Sequence, residues 1–299
     1  MIRISKLAQA VALAGISLAI APLAHAQITT DVMVRDGAGN VIANNVRSFD
    51  ENEAGSGLAL GFTPVVGSTF IFLYQANVVA FNNASGLPIT PIPGLNASFA
   101  SGGYEFTVAA RITERVTSVS TVAGATTATF EALGGTASFF FDNAANGGVQ
   151  SNTPTGAGFD DGHLIGTFQV VAGTGVSNFT TFADGTGIGA TAYDFLVSGA
   201  GVESAFIAGL LGPITDLHFT SSQVLPPGTS TTSAFHTGVP SNAADIYPTT
   251  AAADGLLLKI DGSNTFTAAA IPEPETYAML LAGLGLLGFM ARRRKRKTV

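Results

Sequence analysis

The chain has no cysteine and no tryptophan, and only 11% of its 299 residues are charged, against roughly 25% in ordinary soluble domains. Without Cys there is no disulfide framework, no thiolate metal site and no thiol nucleophile. A large β domain buries enough core to fold without such staples, so the absence does not contradict export. No G-x-S-x-G elbow and no H-E-x-x-H pair occurs, so two common local signatures of hydrolases are missing. Basic residues are scarce too. Arg3 and Lys6 open the chain and six bases close it, which leaves Arg35, Arg47, Arg111, Arg115 and Lys259 for everything between. Eighteen acids stand against those five, a net charge of −13 over the body. Such a surface repels phosphate backbones, which excludes nucleic acid as a partner.

Gly (36) and Phe (21) are abundant instead. Phe, Val, Ile and Thr fit a pleated, half-buried surface, while Gly and Asn suit turns. Tyr104, Phe106, Val108, Ala110 and Ile112 alternate with Glu105, Thr107, Arg111 and Thr113, the period-2 mark of a strand with one buried face. Residues 68–82 form another β-type run, and Phe139, Phe140 and Phe141 predict a strand covered on both faces. Asp36-Gly37-Ala38-Gly39-Asn40, Gly134-Gly135 and Asp261-Gly262-Ser263-Asn264 each predict a hairpin turn between strands. Residues 143–161 and 226–250 read as polar excursions, and 202–211 fits a short helix or a strand. Many short strands with turn punctuation predict an all-β fold, an antiparallel β-sandwich-like body over 27–270.

The ends are of another kind. Arg3 and Lys6, then an apolar stretch from Leu7 to Leu23, then Ala24-His25-Ala26 read as a signal peptide over 1–26, a signal helix cleaved to leave Gln27 first. Over 271–299 three parts follow in order: Pro272-Glu273-Pro274, the uncharged segment Tyr277–Ala291, and Arg292, Arg293, Arg294, Lys295, Arg296, Lys297. The middle part is short of the roughly 20 residues that span a bilayer. Snorkelling bases extend its reach, so a C-terminal transmembrane helix is expected, with the basic run held in the cytoplasm.

Candidate chemistry is thin. Gly185-Thr186-Gly187-Ile188-Gly189-Ala190 fits a loose dinucleotide loop, but no helical pattern follows it. His163, His218 or His236 would have to find a Ser and an acid in space, and Glu105, Glu114, Glu131 and Glu203 are the Glu candidates for a glycosidase pair. The better reading is a Ca²⁺ site from Asp50, Glu51 and Glu53, or from Asp160 and Asp161 beside Gly162, because hard cations take clustered oxygens on loops. No EF-hand spacing is present, and acidic loops also serve solubility alone.

The tripartite tail resembles the PEP-CTERM sorting signal. That resemblance implies export through signal peptidase and the Sec machinery, transient anchoring in the membrane, processing by an exosortase, and release to the cell surface or extracellular matrix. Within the body, Phe49-Asp50-Glu51-Asn52-Glu53, Phe72-Leu73-Tyr74-Gln75-Ala76, Tyr104-Glu105-Phe106-Thr107, Ile112-Thr113-Glu114 and Phe139–Asp142 resemble, in order, segments of the flocculation-associated PEP-CTERM proteins. This implies a non-enzymatic protein without a cofactor that works with exopolysaccharide in flocs or biofilm. The alternative is a secreted carbohydrate-binding or carbohydrate-cleaving protein, against which the lack of Trp counts.

Overall fold

Thirteen strands carry the described chain: Ile28–Thr29 (β1), Val32–Arg35 (β2), Val41–Val46 (β3), Ser48–Glu51 (β4), Gly55–Leu60 (β5), Thr69–Asn82 (β6), Tyr104–Val122 (β7), Ala125–Asn143 (β8), His163–Thr181 (β9), Gly187–Gly199 (β10), Ile207–Ala208 (β11), Ile214–Leu225 (β12) and Gly255–Ala268 (β13). The computed structural model describes residues 28–29, 31–122, 125–153, 155–181, 187–199, 202–210, 214–225 and 255–268. Ala24, Ala26, Gln27, the Pro272-Glu273-Pro274 block, the expected transmembrane segment, the basic run and His236 lie outside those residues. Among the described residues no helix is long and apolar enough to cross a membrane.

The strands from β6 to β10, then β12 and β13, pair antiparallel in sequence order. β4 and β5 lie end to end between β6 and β13 and hydrogen-bond to both. The sheet therefore closes on itself, with eight strand positions when β4 and β5 are taken as one broken strand. Closure pairs the edges that an open sheet would leave free to aggregate. The antiparallel all-β expectation holds, and the two layers of the sandwich-like body are opposite walls of one sheet.

An eight-stranded ring is just wide enough for side chains to fill. Phenylalanine fills this one: Phe49, Phe72, Phe81, Phe106, Phe139 and Phe168 are all at most 1% exposed. The inward face read along β7 is the one observed, with Phe106, Val108, Ala110 and Ile112 in the main core, but the opposite face is not wet at its start: Glu105 and Thr107 are each 1% exposed. The Phe139–Phe141 run is covered on both faces as expected. Phe139 and Phe141 join the main core, while Phe140 packs outside the ring with Leu58, Leu73 and Ala109. Gly175 leaves room for the Tyr193 ring, which a Cβ would meet at 2.4 Å. At the end where β7 begins and β8 ends, a small sheet in the order β11-β2-β3 lies against the ring. There Phe206 packs 5.3 Å from Phe141.

Two of the three expected hairpins are uninterrupted strand. β8 runs straight through Gly134-Gly135, and β13 through Asp261–Asn264. In β8 the glycines mark a bulge: Thr113 faces Gly134, Glu114 faces Ala132, and Leu133 is left over. A Cβ on Gly135 would sit 2.3 Å from the Arg111 carbonyl oxygen, so glycine here answers a close backbone approach, not a reversal. The third, at Asp36–Asn40, is a true turn, and Asp36 accepts from the backbone amides of Ala38 and Asn40.

Candidate functional site

The two acidic segments singled out for Ca²⁺ lie in different parts of the fold. Asp50 and Glu51 are on β4, between β6 and β13. Glu53 is exposed in the turn after it. Asp160 and Asp161 end the long β8–β9 loop. Among the described residues no three Asp, Glu or His side chains form a group that would hold a metal ion.

β4 alternates, so Phe49 and Glu51 both point inward, and Glu51 is 1% exposed. The Tyr74 hydroxyl donates to Glu51 Oε2 at 2.9 Å. Across from them on β13, a Cβ on Gly262 would fall 2.0 Å from that oxygen and 2.2 Å from the Tyr74 hydroxyl. The glycine mistaken for a turn is the space this pair occupies. Burial pushes the Glu51 carboxyl up to about 8 against the Tyr74 bond, with the charges of Asp50 and Asp261 adding to the rise. Glu51 therefore enters neutral pH mostly as a protonated acid, a hydrogen-bonding core group rather than a free ligand. Glu114 is a second inward acid, 1% exposed with neither oxygen hydrogen-bonded, and burial holds its pKa well above the usual range. Gly262→Ala is expected to destabilise the protein by about 1–3 kcal/mol through overpacking. The measurement is a urea midpoint, and an unchanged midpoint would mean the wall can yield there.

The β8–β9 loop folds back on the outer face of β7 and β8. Thr107 Oγ1 donates to the Phe159 carbonyl at 2.8 Å. The Ser151 amide and hydroxyl both donate to Glu105, at 2.6 and 2.8 Å. The Val149 amide donates to Asp161 Oδ2 at 2.9 Å. Beneath this loop Asp142 is 1% exposed; its carboxylate has no well-aligned donor, and its nearest polar neighbours are the Asn143 amide and the Asp161 carboxyl. Asp161 Oδ1 is likewise buried without a well-aligned donor. Burial, then the charge of Asp161, push Asp142 up to about 7; burial pushes Glu105 up to about 7 against its Ser151 bonds. Asp161 was legible in the sequence. Asp142 was not: it reads as the polar end of a Phe-rich strand, and nothing local shows that a loop will return to cover it.

Among the described residues the catalytic candidates do not assemble. His163 Nε2 lies 2.9 Å from Glu203 Oε2 in an exposed pair, its ring stacked on Phe206. Gly187, Gly189 and Ala190 of the loose dinucleotide pattern are residues of strand β10, where no helix begins. Glu131 is held at the surface by Arg115. Glu105 and Glu114 face opposite sides of β7, Glu105 toward the outer loop and Glu114 inward.

Beside the loop, at the end of the ring, a groove of about 550 Å³ is lined by Asp36, Val41, Pro93, Phe99, Tyr104 and Asn143, among others. The Tyr104 ring stacks on Phe141, centroids 5.7 Å apart. Burial, then the charge of Asp36, raise its hydroxyl to about 12.

Residues 270–295 match the family model described as the PEP-CTERM protein-sorting motif. The chain thus carries a sorting motif that implies exosortase-dependent export to the cell surface or the extracellular space. The motif is one that an exosortase recognises, which makes that enzyme a partner. Nothing among curated proteins and nothing among solved structures matches the chain.

Proposed function

We propose that the body is a non-enzymatic matrix protein that associates with exopolysaccharide and promotes flocculation or biofilm formation. The observation that carries this is the groove at the end of the ring, where a half-buried Tyr104 ring is backed by Phe141 and flanked by Phe99, Pro93 and the polar groups of Asp36 and Asn143. An aromatic face with hydroxyl and amide groups at its rim suits the apolar face and hydroxyls of a sugar ring. With a body charge of −13, a neutral stretch of polymer fits better than an acidic one. Single contacts of this kind are weak, and many copies along one polymer hold by avidity.

In a host strain lacking the gene, the wild-type chain should restore flocculation, and Tyr104→Ala should restore it several-fold less at equal surface abundance. Full restoration by Tyr104→Ala would remove the groove from the argument. The route to the surface has its own test. Matrix-bound protein should begin at Gln27 and lack the tail peptide around Met290. Recovery of the intact tail from extracellular material would contradict exosortase processing.

A further inference from the structure

We propose that the β8–β9 loop encloses a divalent-cation site, with calcium the best-fitting ion, whose carboxylate ligands are Asp142 and Asp161. The inference rests on a mismatch between charge and partners. Asp142 and Asp161 present three buried oxygens without a well-aligned donor, both of Asp142 and Oδ1 of Asp161, and the two carboxyls lie within reach of one another. Glu105 stands close enough to add its charge to Asp142. None of the ion pairs among the described residues involves any of the three. Buried carboxylates are ordinarily paired, hydrogen-bonded or bound to a metal. The nearby donors are engaged elsewhere: the Ser151 amide and hydroxyl serve Glu105, the Val149 amide serves the other oxygen of Asp161, and the Asn143 amide, which also approaches Asp142, donates to Asn146 Oδ1.

The local backbone is shaped around these oxygens. Gly148 backs directly onto Asp142, where a Cβ would lie 2.0 Å from each carboxylate oxygen. Gly162 lies against Phe141 and Asp142 from the other side, a Cβ there falling 2.6 Å from the Phe141 carbonyl oxygen. Gly148 itself covers this side of the carboxylate, so a cation reaches the Asp142 oxygens from their flanks. Two carboxylates are few for a cation, but calcium takes six to eight oxygens and accepts backbone carbonyls, Asn side chains and water for the remainder. The loop backbone supplies carbonyls, while the side-chain oxygens of Asn143 and Asn146 already accept from backbone amides. Glu105 is not a ligand in this scheme. It holds Ser151, and so the returning loop, in place. This site differs from the five-residue sequence reading: Asp161 stays, Asp142 enters, and Asp50, Glu51 and Glu53 belong elsewhere.

The test titrates CaCl₂ into the purified, chelator-treated full chain by calorimetry at pH 8, with thermal unfolding alongside. Expected are one site per chain and a midpoint that rises with calcium. Asp142→Asn should weaken binding at least 100-fold while its calcium-free midpoint stays equal to or above that of wild type, because a repulsive charge has gone. Asp50→Asn should bind like wild type. Absence of heat and of any midpoint shift in wild type at pH 8 would overturn the site. Unchanged binding by Asp142→Asn would equally overturn it. Neither failure touches the saccharide groove, whose readout is flocculation by Tyr104→Ala.

Discussion

Phe49→Ala is expected to lower stability by about 3–5 kcal/mol, the range for removing a buried aromatic ring from a filled core. Its ring centroid lies 5.0 Å from Phe81 on β6 and 5.0 Å from Phe266 on β13. It also reaches Phe106 and Phe139 at 6.1 and 6.2 Å across the interior. Those partners define what is lost. With β5, the four-residue β4 joins β6 to β13, and Phe49 touches both neighbours and reaches rings on β7 and β8. Its amide is fixed too, donating to Asn264 Oδ1 at 3.1 Å. Truncation therefore opens a cavity at the seam where the sheet closes, the place least able to collapse around it. Urea denaturation followed by circular dichroism gives the number. A loss below about 1 kcal/mol would mean that backbone pairing, not the aromatic cluster, holds the seam shut.

Phe49 also shows what a linear reading reaches. Strand content was legible because period-2 alternation is a local signal: β6 and β7 begin within one residue of where the pattern places them. The doubly covered Phe139–Phe141 run was legible for the same reason. Closure was not. It depends on β4 and β5 pairing with β13, some two hundred residues away, and no local pattern encodes that register.

Glycine was the systematic source of error. A Gly pair inside a strand and a Gly pair in a hairpin look alike in sequence, and only the neighbouring backbone decides. Gly135 yields to the Arg111 carbonyl and Gly262 to the Glu51–Tyr74 pair. The candidate sites divide in the same way. Asp160 and Asp161 could be noticed because they adjoin a glycine in a polar loop. Asp142, Glu105 and Tyr104 acquire their roles only when residues 144–162 and 83–103 fold back over the end of the ring. The sorting motif was legible, since its order of motif, apolar segment and basic run is read along the chain itself.

Glu51→Gln should make the protein more stable than wild type in alkali and leave it nearly unchanged in acid. The folded carboxyl titrates at about 8, against a usual value of 4.5. Between those values the folded chain holds a proton that the unfolded chain has released. Wild-type stability must then fall as pH rises through that window and level off above it. At about 1.4 kcal/mol per pH unit, the fall assigned to this one group has an upper bound of about 5 kcal/mol. Gln carries no titrating proton, yet its amide oxygen can still accept from Tyr74, so the variant keeps the hydrogen bond and loses the slope. Glu105 and Asp142 are also raised, to about 7 in each case, so both proteins retain a common decline between roughly pH 4 and 7. The informative quantity is the difference between them, measured by urea denaturation at pH 4.5, 6, 7 and 8.5 in the presence of chelator. That difference should open as pH rises and be largest at 8.5. A constant difference across the series would show Glu51 already ionised inside the folded ring. The Tyr74 hydroxyl and the neighbouring backbone would then be stabilising a buried anion, and Gly262 would mark the space for a charge rather than for a neutral acid.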